Sequence, residues 1–132
     1  MSPIYIYYII LTIKLIGLAL FGGYFILSGI NHFMHAKNMI GYATFKKVPY
    51  PKLAVYTTGV LLILGGFGTF LQVYQPVAYL SSIGFLFLII FLVPTTFMMH
   101  NFWKDTDPEA RMSNKVNFLK NLALLGAILL MI

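Results

Sequence analysis

The chain contains no cysteine, which excludes disulfides, thiol relays, thiolate metal sites and iron–sulfur clusters. Charge is scarce as well: 9% of the 132 residues are charged, against about 25% in a soluble domain. Nine Lys and Arg with three Asp and Glu cannot coat a chain of this size in water, so most of its surface must meet hydrocarbon. Acids are the scarcest of all. Asp105, Asp107 and Glu109 all fall within KDTDPEAR, and every long apolar run is free of carboxylates. That absence speaks against ion-coupled transport, in which intramembrane carboxylates commonly relay protons. No long polar stretch leaves room for a separate soluble catalytic domain. The net charge of +6 does not indicate nucleic acid, because the basic residues lie in short segments between apolar runs. Membrane lipids with anionic headgroups are the expected partners.

What the chain has in quantity is hydrophobicity, 60% of its residues. A helical crossing takes roughly 20 apolar residues, and the runs predict an all-α integral membrane protein: one domain over residues 1–132, a compact bundle of four transmembrane helices. The expected spans are about 4–35, 53–73, 77–100 and 116–132. The first run has no Lys or Arg ahead of it and exceeds a signal-peptide core, so it reads as a retained helix. Between the second and third runs only Gln72 to Pro76 intervene, which demands an antiparallel hairpin. The stretch from Ala36 to Lys52 reads as a loop.

Eight of the nine basic residues, all but Lys14, fall in or near the two segments Ala36–Lys52 and Asn101–Lys115. The positive-inside rule then places both segments in the cytoplasm and both termini outside the cell membrane. Tyr5, Tyr7, Tyr8, Tyr74 and Tyr79 would form the outer aromatic belt, and Tyr42, Tyr50, Tyr56 and Trp103 the inner one. Lys14 lies 21 residues from His35, about 32 Å of helix, and so reaches the outer interface by snorkelling. Gly22 with Gly29, Gly59 with Gly66, and Gly65 with Thr69 recur at spacings of seven and four, the pattern of a close helix seam. Pro94 is expected to kink the third span.

All three histidines fall at one membrane face. His32 and His35 end the first span, sharing a helical face with Ser28, and His100 ends the third, sharing one with Trp103 and Lys104. If the two faces meet, three imidazoles, an indole and the amide of Asn31 or Asn101 surround one pocket. Three chemistries fit this cluster. Interfacial His and Trp serve as amphipathic anchors; neutral His or Asn donating to a carbonyl, flanked by aromatics, holds a quinone headgroup; and His-x-x-His is a ligand spacing for metal or haem, though no carboxylate lies within the helices to support it. The expected cofactor site is His32, His35, His100, Asn101 and Trp103, with quinone ahead of haem, no metal, and no catalytic residue assigned. Asp107-Pro108 reads as the cap and first residue of the last helix, with Asp107 four before Arg111 and Glu109 favoured by the helix N-terminus. Asn117 and Asn121 are placed to hydrogen-bond across the seam.

The ordered pieces SGINHF, GYATFKKVPYP, TGVLLILGGFG, VPTTFMMHNFW and NFLKNLALLG, spread from about residue 14 to 130, resemble DoxX-family membrane proteins. The resemblance implies a compact four-helix bundle, with His32, His100, Trp103 and Lys120-Asn121 at the family's polar positions. Where many relatives carry a Glu in the second span, ahead of the double glycine, this chain has Leu62. By resemblance the chain is expected to be a small subunit associated with electron transfer, quinone-linked and partnered with other membrane subunits or with itself. The alternative expectation is a non-catalytic accessory subunit of a larger membrane complex.

Overall fold

The computed structural model describes residues 2–132, the side chains of Gln75 and Pro76 excepted, and those residues form helices joined by short turns. Among the described residues there are five α-helices: α1 (Pro3–Met34), α2 (Ala36–Phe45), α3 (Pro51–Phe70), α4 (Ser81–Met98) and α5 (Pro108–Met131). The sequence predicted four, and the addition is α2, which occupies what reads as a basic loop. Three segments, Pro3–Met34, Pro51–Val73 and Val77–Lys104, are long and apolar enough to cross a membrane. The last helix falls outside that class because Lys115, Asn117, Lys120 and Asn121 interrupt its apolar run.

Local chemistry fixes the boundaries. Only His35 separates α1 from α2, at φ −116° and ψ 28°. The second helix stops at Lys47, which takes φ 59°, while Val48 N–H donates to Ala43 O and Lys47 N–H to Thr44 O. This is the Schellman closure usually built on glycine, made here with a lysine. Asp107 caps α5 by accepting from Ala110 N–H at 2.8 Å, with Pro108 in the first turn and Glu109 beside it. Capping is its role: among the described residues it forms no ion pair with Arg111, and the one salt bridge joins Lys46 to Asp105.

Packing follows the small residues. In the antiparallel α1–α3 pair, a Cβ on Gly22 would lie 2.8 Å from Gly66 O and one on Gly29 2.7 Å from Gly59 O, so these crossings admit only glycine. A Cβ on Gly68 would come within 2.7 Å of Gly84 Cα, and this contact seats α4 against α3. Around the seams Phe25, Leu62, Phe85, Leu88, Leu92 and Ile128 form a fully buried core to which α1, α3, α4 and α5 all contribute. Gln72 Nε2 donates to Met131 O at 2.7 Å, which joins the α3–α4 turn to the end of α5. At the opposite end Lys46 meets Asp105, so the two basic segments lie together in space. Lys14 is exposed, outside the bundle interior, and α4 continues through Pro94 to Met98.

Candidate functional site

Beneath α2, between α1, α3, α4 and α5, lies a cavity of about 660 Å³, within the range of small-molecule sites. Its floor is the apolar core, Phe25, Leu62 and Leu92; its upper wall is polar and includes Ser28, Asn31, His32, His35, Tyr42 and His100. From α5, Asn117, Lys120 and Asn121 complete the lining, and no carboxylate contributes to it. Leu62, where the resembled family often has Glu, is fully buried in this floor.

All three histidines line this cavity, and no hydrogen bond joins one to another. His32, near the end of α1, donates from Nδ1 to Ser28 O at 2.8 Å, one turn back, and meets the Phe91 ring edge-on at 5.8 Å between centroids. His100 lies two residues past the end of α4, and its Nδ1 is 3.1 Å from Asn114 Oδ1. His35, at the α1–α2 corner, is exposed.

Two predicted site residues lie elsewhere. Since α4 ends at Met98, His100, Trp103 and Lys104 do not share a helical face; Phe102–Lys104 form a 3-10 turn instead. That turn sends Trp103 onto α5, where it meets Phe118 edge-on at 5.7 Å in a cluster with Phe97 and Phe102, and leaves it 48% exposed. This is the anchor geometry, not a cavity wall. Asn101 likewise turns away and accepts from Lys46 Nζ at 2.7 Å. Asn117 and Asn121 do not hydrogen-bond across the seam: Asn117 donates to Ser113 O on its own helix and accepts from Lys120 Nζ.

A polar chain that the sequence reading missed ties the roof together. Lys46 Nζ donates to Asp105 Oδ1 at 2.9 Å, with only 6% and 11% of the two side chains exposed. Asp105 Oδ2 accepts from Asn114 Nδ2 at 2.7 Å, and the same amide donates to Tyr42 Oη at 3.0 Å. Asn114 is buried. The Lys46 ammonium, aided by the Asn114 amide, holds the Asp105 carboxyl below the usual carboxylate range. The available signal was the spacing Asn114, Asn117, Asn121, three and then four, which puts all three amides on one face of α5.

One lining group stands out. Asn121 is 5% exposed and lines the cavity, and no described residue hydrogen-bonds to its amide. Among the described residues no group of three or more His, Asp or Glu side chains gathers. Comparison with known protein families, with curated proteins and with solved structures finds no match to this chain.

Proposed function

We propose that the chain is a four-crossing membrane protein that holds the headgroup of a lipid-soluble quinone in the cavity beneath α2, as a small DoxX-like subunit associated with electron transfer. The observation that carries this reading is the cavity itself: an apolar floor suited to a ring, and a carboxylate-free polar wall of His32, His100 and the unpartnered Asn121 amide suited to its oxygens. The fourth crossing is α5. Two of its amides, Asn114 and Asn121, are buried, while Val116, Leu119, Leu129 and Leu130 face outward beside the exposed Lys115 and Lys120. Buried amides with apolar residues outside suit a helix that meets lipid, and its 24 residues reach about 36 Å. The basic end, bearing α2 and the α4–α5 turn, faces the cytoplasm by the positive-inside rule, and both termini lie outside.

Quinone extracted from protein purified in mild detergent tests the reading. Wild type should carry the bound quinone headgroup in its oxidised or reduced form; His100→Ala and Asn121→Leu should each lose it with the fold intact, because a missing partner costs about 1–3 kcal/mol, or about five- to 150-fold in affinity. A wild type without quinone, or variants that retain it, would contradict the proposal and favour the accessory-subunit alternative.

A further inference from the structure

The two hydrogen-bonded histidines of the cavity have had their tautomers chosen for them. Ser28 O can only accept, so His32 Nδ1 carries the proton in the bond between them. The case of His100 runs through three residues. Asp105, paired with Lys46, is a carboxylate that only accepts, so the side of Asn114 that faces it at 2.7 Å must be the NH2 group. The other side of the same amide, the carbonyl Oδ1, therefore faces His100 Nδ1, which must donate to it. In the neutral form of either imidazole Nδ1–H is committed to the protein, and Nε2 is the free acceptor of a residue that lines the cavity.

We infer that the cavity is built for the reduced, dihydroxy form of the ring over the oxidised, dicarbonyl form. This inference rests on the quinone reading above and refines it. A carbonyl oxygen has no hydrogen to give, so a quinone would place its lone pairs against those of His32 and His100. A hydroxyl donates and accepts at once: it gives its hydrogen to an Nε2 and accepts from the Lys120 ammonium, which lines the same cavity. The Lys120 ammonium and the Asn121 amide can each donate to either form and do not discriminate; the two Nε2 acceptors do. Asp105 touches no ligand in this scheme. It is a positioning residue that acts on the ring through Asn114 and His100.

The test is equilibrium binding of decylubiquinol and decylubiquinone to the full chain in lipid nanodiscs, anaerobically and in mildly alkaline buffer where unperturbed imidazoles are neutral. The quinol should bind at least about tenfold more tightly. Asp105→Asn lets the Asn114 amide turn and frees the His100 tautomer, and His32→Leu removes the other acceptor; each should shrink the quinol-to-quinone ratio, a readout that loss of stability alone would not move. Equal affinities, a preference for the quinone, or a ratio unchanged in both variants overturns this inference while leaving the quinone reading standing. Binding of neither form overturns both.

Discussion

Single side chains at the roof of the cavity each answer to a physical constraint. Lys46 and Asp105 are largely shielded from water, and each has a second partner, Asn101 for the lysine and Asn114 for the aspartate. A carboxyl held below its ordinary range stabilises the fold at every pH above its unfolded value, and that contribution is lost as pH falls through the folded one. Wild type should therefore melt above Asp105→Asn at neutral pH, and the two should converge as the pH is taken below about 4. A gap in melting temperature that stays constant into acid would show that the ion pair is not its source. This network was not legible in the sequence, where Lys46 reads as one more cytoplasmic lysine and Asp105 as one of three acids in a turn. Its partners lie 59 residues apart, and only the fold brings them together. His32 and His100 were legible, because their shared membrane face follows from counting along apolar runs. Trp103 misled for a related reason: helical spacing was extended past Met98, where the helix stops.

Among the elements, α1 and α3 depend on each other most closely. Their glycines sit where a Cβ would strike the facing backbone, Gly22 against Gly66 O and Gly29 against Gly59 O, and the spacing of seven announced this seam. Gly66→Leu should cost about 3 kcal/mol or more, since neither backbone can yield to the added side chain. Gly23→Leu, where an added Cβ meets nothing within 4 Å, should be close to neutral; unfolding both variants in mixed detergent micelles measures the contrast. Equal losses at the two positions would remove the glycine seam as the cause. The short α2 was hidden by the lysines and prolines around it. The sign that was there is the spacing of Ala36 and Ala43, two turns apart and both buried in the fold, a stripe that Lys37, Lys46 and Lys47 obscured. It matters to the site because α2 supplies Tyr42, which bridges Asn114 and Met99 O and closes the roof.

The whole molecule is turned inside out relative to a water-soluble bundle. Large apolar side chains such as Leu20, Leu27, Phe67 and Leu130 stand on the surface, while Thr69, Ser81, Thr96, Asn114 and Asn121 lie buried. Composition alone made this much legible, because twelve charges cannot dress the outside. The gathering of the basic segments at one end, opposite the α3–α4 turn, sets the orientation prediction: a reporter active only in the cytoplasm should be silent when fused after Ile132 and active when inserted between α4 and α5. The reverse pattern would invert the protein in the membrane without altering its fold. The central claim concerns the cavity and not the surface. It is tested most directly by irradiating the protein in native lipid with a photoreactive azidoquinone and mapping the adducts by mass spectrometry. Adducts confined to the cavity lining, around Ser28 to His35, Thr95 to His100 and Asn117 to Asn121, are the predicted result. Adducts spread over lipid-facing positions such as Leu20, Leu27 and Leu130, with the cavity unlabelled, would contradict it.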